Sequence, residues 1–118
     1  ENPVVILLHV IDASLPEFAE AHDLGTYDEV VHRMRERAER LLAAYTEDCP
    51  EGIETDVIIS EGPPFLEILR KADDFAVDAI VMSKIGGRGK VEDLLFGSTA
   101  EKVLRGTTTP VLVLPAVA

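Results

Sequence analysis

The sequence predicts an α/β fold, a doubly wound open parallel sheet with helices on both faces. Val4–Ile11 is a nearly unbroken run of β-branched and aliphatic residues, and shorter runs recur at residues 79–82 and at Val111–Leu114. Runs of this kind are typical of strands that are buried on both faces. Segments with helical periodicity separate the runs, and this alternation favours a parallel sheet.

The first half of the chain supplies two strands and one long helix. Residues 12–26 carry Ser, Pro, Gly and scattered acids, which indicates a connection with a short helical turn. Residues 27–45 are predicted to form a helix with an apolar stripe on one face and Glu/Arg pairs, including Arg35/Glu39, on the other. The stripe comprises Val30, Val31, Met34, Ala38, Leu41, Leu42 and Tyr45. Alternation over residues 53–59 predicts an edge strand.

The second half supplies two helices and two strands. Gly62-Pro63-Pro64 leads into a helix, because proline is well tolerated in a first helical turn. Residues 79–82 predict a short buried strand. The pattern Ser98-x-x-Glu101 is typical of a capping box and predicts a helix over residues 98–105. Val111–Leu114 is the last predicted strand.

The composition excludes several classes of protein. A chain of 118 residues with 47% hydrophobic residues is expected to form a single domain over residues 1–118. Its net charge of −11 argues against nucleic acid and anionic membranes as partners, because both bind basic surfaces. No apolar run is long enough to span a bilayer, and the single cysteine, Cys49, has no partner for a disulfide. We therefore expect a cytoplasmic protein without membrane insertion.

The segment GGRGKVEDLLFGSTAEK, residues 86–102, carries the candidate site. It joins a predicted strand to a predicted helix, and ligands of open α/β sheets bind beyond the carboxyl ends of the strands. Gly97 lets the backbone approach a ligand, and the free amides after Ser98 favour an anion. Spacing alone leaves two interpretations open, an anion site or a plain helix cap after a flexible hairpin. The segment matches neither a P-loop nor a G-x-G-x-x-G fingerprint.

One pattern in the second half of the chain consists of Gly87, nine further residues and Gly97-Ser98, followed by Pro110-Val111-Leu112-Val113-Leu114. This pattern resembles the universal stress protein family. Its nucleotide-binding members carry a G-x2-G-x9-G-S/T loop in this place. The likeness extends to residues 5–12, which resemble the family's second strand, and to residues 61–69 and 78–82, which resemble the start of its third helix and its fourth strand. The resemblance implies a Rossmann-like sheet of order 3-2-1-4-5 and a homodimer that binds ATP or AMP, with or without Mg.

The family pattern also implies the positions of the site residues. It places Val10 and Met82 beside the adenine, and it places the ribose and phosphates against main-chain amides and hydroxyls. The residues of this second group are Gly87, Gly97, Ser98 and Thr99, and we add Ser83, Lys84 and Arg88 as neighbours. No residue is expected to be catalytic, and at most slow ATP hydrolysis is expected.

Two features depart from the family pattern. The leading glycine of the loop is replaced by Lys84 or Ser83, depending on the alignment, and Lys84 either reaches a phosphate or obstructs the sugar. The family's first strand and helix have no counterpart after Glu1. Without that central strand, the strands at 4–11 and 79–82 would lie about 9–10 Å apart with unpaired amides. We therefore expect a strand-helix unit ahead of Glu1, or a central strand from another chain.

Two functions remain open on the sequence alone. The first is a cytoplasmic regulator of the universal stress type that binds an adenine nucleotide. The alternative is a nucleotide-independent interaction module of the same fold that works through its dimer surface. In the family the strand at Val111–Leu114 pairs with its copy, so we expect a homodimer through this edge.

Overall fold

The computed structural model of the protein describes residues 3–83 and 98–114. The chain divides into two compact units, Glu1–Pro63 (unit 1) and Pro64–Ala118 (unit 2). Each unit contains one pair of parallel strands and two helices. The predicted α/β class with parallel strands is therefore confirmed.

Unit 1 consists of β1 (Val4–Ile11), α1 (Ser14–Ala21), α2 (Tyr27–Glu47) and β2 (Glu54–Glu61). The two strands pair in parallel over their full length, from Val4 opposite Glu54 to Ile11 opposite Glu61. The amide of Gly62 donates to the Ile11 carbonyl at 3.0 Å and extends this pairing by one hydrogen bond. Helix α2 packs on both strands, and α1 packs on α2.

Helix α1 lies where the sequence predicted a connection with only a short helical turn. The Asp12 carboxylate accepts a hydrogen bond from the Ser14 amide at 3.0 Å and so satisfies one of the free amides at the helix start. Pro16 lies in the first turn, where its missing N–H costs nothing, and it is buried together with Ala19. Ser14 and Pro16 therefore begin a helix and do not belong to a connection.

Helix α2 begins at a capping box that the sequence analysis did not identify. The Thr26 hydroxyl accepts from the Glu29 amide at 3.1 Å, and the Glu29 carboxylate accepts from the Thr26 amide at 2.9 Å. The predicted apolar stripe is only partly correct. Ala38 and Leu42 are buried, whereas Leu41 and Tyr45 are 51% and 63% exposed, because they lie to one side of the buried stripe.

The predicted pairing of Arg35 with Glu39 is replaced by a longer-range contact. Arg35 Nη2 lies 2.9 Å from Glu61 Oε2 at the carboxyl end of β2. Packing of α2 on the strands brings this carboxylate to Arg35. A tertiary partner therefore replaces the one expected within the helix.

Unit 2 consists of α3 (Pro64–Asp74), β3 (Ile80–Ser83), α4 (Ser98–Gly106) and β4 (Val111–Leu114). Strands β3 and β4 pair in parallel, from Ile80 opposite Val111 to Ser83 opposite Leu114. Helix α3 packs on α4. The buried carboxylate of Glu67 in α3 is paired with Arg70 and Lys71 of the same helix.

The continuous apolar runs predict that the strands of unit 2 are buried on both faces. In the structure one face of each strand is exposed. Exposure alternates along both strands. Val81, Leu112 and Leu114 are 61%, 56% and 44% exposed, and the register places all three side chains on one face of the pair. We call these three residues the open face of unit 2.

The strand pairs agree with two neighbour relations of the expected order. β1–β2 and β3–β4 correspond to the outer pairs of the order 3-2-1-4-5. The order across both pairs stays a prediction, as does the central strand expected from outside residues 1–118. Within residues 3–83 and 98–114, no helix has both the length and the apolar character needed to cross a bilayer.

Candidate functional site

The first turn of α4 is the described part of the predicted phosphate site. Ser98 is exposed at the first helical position, Thr99 is half-buried and Ala100 is buried. The first amides of any helix lack partners within it and carry the positive end of the dipole. The predicted capping box does not form, because Ser98 lies inside the helix and the Glu101 carboxylate pairs with Arg105 at 2.7 Å. The amides of this turn are therefore not occupied by Glu101.

Packing against α3 holds α4 in place within unit 2. Val103 is fully buried, and Lys102 Nζ lies 5.0 Å from the centre of the Phe65 ring of α3. At Gly106 the helices approach so closely that an added Cβ would lie 2.9 Å from Leu69 Cδ1. The burial of Val103 and two contacts with α3 therefore hold α4 in place within its unit.

The carboxyl end of β3 carries two further predicted residues. Met82 is half-buried opposite Val113, and Ser83 is the last residue of the strand, opposite Leu114. Lys84, Gly87, Arg88 and Gly97 lie outside the described residues, so their predicted roles stay predictions. The same is true of the choice between a helpful and an obstructive Lys84.

The carboxyl end of the strand pair in unit 1 carries Val10. Val10 is half-buried and pairs with Ser60, one position before the fully buried Ile11. Gly62, with φ of 144°, then turns the chain away from the end of β2. This backbone conformation is one that residues other than glycine rarely adopt, which explains the glycine at this position.

Ser60, near the end of β2, is a buried polar group that the sequence alone does not single out. Its Oγ is buried and has no hydrogen-bond partner. A buried hydroxyl without a partner is costly and uncommon in native proteins, so each case calls for an explanation. The available signal was a single polar residue directly after the aliphatic run Val57-Ile58-Ile59.

Acidic side chains lie near Tyr27, the first residue of α2. The pKa of the Tyr27 phenol is raised, first by desolvation and then by the charges of Glu61, Glu17 and Asp28. The amide of Tyr27 also donates to the Glu20 carboxylate at 3.1 Å. Arg35 pairs with Glu61 at this end of unit 1, so part of the negative charge is balanced by a cation.

Two other polar residues lie on or directly after β1, and neither is assigned to the candidate site. The Asp12 carboxylate accepts a hydrogen bond from the Ser14 amide, so this residue at the end of a strand caps the start of α1. His9 is half-buried in β1 opposite Ile59. In the described part of the chain, no group of three His, Cys, Asp or Glu residues is arranged to hold a metal ion.

Comparison with known proteins places these features in a family. A profile of the universal stress protein family matches residues 1–115. The chain is 29% identical over 126 residues to universal stress protein MJ0577 of Methanocaldococcus jannaschii, which covers 92% of this chain and 75% of that protein. It is 30% identical over 110 residues to MJ0531 of the same organism, with 92% of this chain and 63% of that protein covered. The chain therefore spans less than two thirds of MJ0531.

Solved structures give the same result. The structure of MJ0577 aligns with a TM-score of 0.84 and 28% identity, and covers 100% of this chain and 79% of that one. The crystal structure of PH0823 aligns with a TM-score of 0.67 and 31% identity, over 98% and 77% of the two chains. Sequence and fold agree over nearly the whole length, and the chain belongs to the universal stress protein family.

Proposed function

We propose that the protein is a cytoplasmic regulator of the universal stress type that binds ATP or AMP. The observation that carries the proposal is the first turn of α4. It presents Ser98 to solvent, its amides are not capped by Glu101, and buried residues hold it in place. Family membership makes an adenine nucleotide the expected ligand, because the loop ahead of this turn resembles the family's nucleotide-binding motif.

The described residues of unit 2 suit such a ligand. The dipole and free amides of α4 suit a phosphate, and the hydroxyls of Ser98 and Thr99 add donors. Met82 of the same unit offers apolar surface of the kind that contacts an adenine ring.

The test is titration calorimetry of the purified protein with AMP, ATP and adenosine, with and without Mg. We expect saturable binding of AMP or ATP. Mass spectrometry of the supernatant after denaturation would detect nucleotide that co-purifies. No heat of binding and no released nucleotide would contradict the proposal.

Ser98→Asp is the informative variant. A carboxylate in the first turn is favourable for a helix but repels a phosphate a few ångströms away. We expect AMP binding to weaken roughly tenfold or more, because two charges 4 Å apart interact by about 4 kcal/mol at an effective dielectric constant of 20. Adenosine, which has no phosphate, is expected to bind as before.

Thr108→Asp is the matched control. Thr108 is exposed and lies in the loop after α4, so the variant adds the same charge at the opposite end of the helix, about 13 Å away. We expect it to bind AMP like the unmodified protein. Equal weakening by both variants would indicate a general charge effect instead of a phosphate site at Ser98.

The open face of unit 2 favours a second candidate, an interaction module that works through self-association. Val81, Leu112 and Leu114 are all exposed, and β4 carries two of them. We propose a homodimer through the Val111–Leu114 strand. Light scattering after size-exclusion chromatography is expected to give twice the mass of one chain, and Leu112→Lys is expected to give a monomer. A monomeric unmodified protein would contradict this candidate.

A further inference from the structure

We propose that the exposed surface of α1 binds a basic amphipathic segment of another protein. Three large apolar side chains, Leu15, Phe18 and Leu24, define this α1 surface and are 54%, 55% and 65% exposed. Large apolar side chains that cluster on an exposed surface mark sites of interaction with other proteins. The proposal concerns unit 1 alone and does not depend on nucleotide binding.

The geometry of α1 keeps the three side chains together. Leu15 and Phe18 are three residues apart in the helix and are therefore neighbours on its surface. The centre of the Phe18 ring lies 4.2 Å from that of His22, which extends the surface by a second ring. The Leu24 amide donates to the Ala19 carbonyl at 2.8 Å, and this bond of the Schellman type turns Leu24 back against the last turn of the helix.

The charges around the α1 surface are negative. The first 32 residues contain no Lys or Arg and seven acids, which are Glu1, Asp12, Glu17, Glu20, Asp23, Asp28 and Glu29. Glu17, Glu20 and Asp23 lie in α1 or directly after it, and all three are exposed. Among the described residues, none of these three carboxylates has a cationic side chain within 4.0 Å.

Two arginines of α2 lie beside other acids. Arg35 pairs with Glu61 at 2.9 Å. Arg33 lies close to Glu29, since a Cβ added at Gly25 would be 3.9 Å from both Arg33 Nη2 and Glu29 Oε1. These two arginines therefore balance Glu61 and Glu29 first, and the acids of α1 keep their negative field.

The chemistry of the partner follows from this combination. Apolar side chains are needed to cover Leu15 and Phe18, and Lys or Arg around them complement Glu17 and Asp23. An amphipathic helix with a basic border has both features. A second copy of the chain would bring the same acids to the surface and be repelled, and an anionic membrane would be repelled in the same way.

The experiment uses fluorescence anisotropy of a labelled synthetic peptide, an amphipathic helix of about 18 leucine and lysine residues. We expect saturable binding of this peptide and none of a peptide in which glutamate replaces lysine. Phe18→Ser is expected to weaken binding roughly tenfold or more, because one aromatic contact at the centre of an interface carries much of its affinity. Glu17→Lys is expected to weaken it about 3- to 10-fold by reversing a charge beside the surface.

Two matched controls separate a defined surface from general attraction to an acidic chain. Phe75→Ser removes a phenylalanine that is 49% exposed in unit 2. Glu47→Lys makes the same charge change at the last residue of α2, about 30 Å from the start of that helix. We expect both controls to bind the leucine-lysine peptide within twofold of the unmodified protein. Equal weakening by Phe18→Ser and Phe75→Ser, or by the two lysine variants, would overturn the inference.

The remaining outcomes also decide the matter. Absence of binding by the unmodified protein would overturn the inference and leave the proposed nucleotide binding intact. A lower mass of Phe18→Ser than of the unmodified protein in light scattering would assign the α1 surface to a second copy, and binding to neutral phosphatidylcholine vesicles that depends on Phe18 would assign it to a membrane. Either result would overturn the inference. Leu15→Ser is expected to weaken peptide binding as Phe18→Ser does, and it provides the same test where Phe18→Ser does not fold.

Discussion

Replacement of Gly106 by alanine tests how tightly α4 is positioned within unit 2. Gly106 is the last residue of α4, and a Cβ built there would lie 2.9 Å from Leu69 Cδ1 of α3. Carbon atoms prefer a separation of about 3.5–4.0 Å, so Leu69 or the helix must move by roughly 0.6–1.1 Å. The perturbation is therefore one methyl group placed at a known contact.

The magnitude follows from two opposing effects. Overfilling a packed contact typically costs about 1–3 kcal/mol. Replacing glycine by alanine at a compatible backbone conformation stabilises by about 0.4–1 kcal/mol, because the unfolded chain loses freedom. We expect Gly106→Ala to lower the free energy of unfolding by about 1 kcal/mol.

The assay is urea denaturation followed by circular dichroism, since the chain has no tryptophan for fluorescence. Leu69→Val removes the Cδ1 atom that the new methyl group would meet. In the double variant we expect the cost of Gly106→Ala to disappear, which gives a coupling energy of about 1 kcal/mol between the two sites. Strictly additive effects, or a Gly106→Ala variant more stable than the unmodified protein, would refute this interpretation of the contact.

Three further predictions concern α2. Thr26→Ala removes the hydroxyl of the capping box and is expected to lower the free energy of unfolding by about 0.5–2 kcal/mol in the same urea assay. The pKa of Glu29 is lowered, chiefly by the hydrogen bond from the Thr26 amide, so its stabilising effect is present above the ordinary value of 4.5 and is lost as the pH falls through the folded-state pKa. Acid titration of unfolding is expected to show a weaker pH dependence in Glu29→Gln, and an identical dependence would count against the box. The raised pKa of Tyr27 predicts a phenol that ionises above pH 10.0 in ultraviolet absorbance, and Glu61→Gln is expected to bring that pKa down.

The strands and most helices could be predicted from the sequence because their signals are local. Val4–Ile11 and Val111–Leu114 were predicted with the same bounds that the structure has, since a run of branched apolar residues favours extended backbone in almost any context. Helix α2 begins at Tyr27 as predicted and ends two residues later than predicted. The missed helix, α1, begins with residue types that occur in both loops and helix starts.

The candidate site was only partly predictable. The resemblance drew attention to Met82, Ser98 and Thr99, and the structure places the last two in the first turn of a well-packed helix. The buried hydroxyl of Ser60 was not predicted, because its burial and its lack of a partner depend on what lies around it in space. One serine after an aliphatic run looks the same in the sequence whether or not its hydroxyl has a partner.

By itself, the sequence determined the class of fold, the order of the strands and of every helix except α1 along the chain, and the resemblance to the family. These properties follow from periodicity and from short motifs, which need only neighbouring residues. Only the tertiary structure decided the partner of Arg35, the contact of Gly106 with Leu69 and the exposure of Leu112. Each of these depends on which strands and helices pack beside one another in space. Neighbouring residues in the sequence do not reveal that packing.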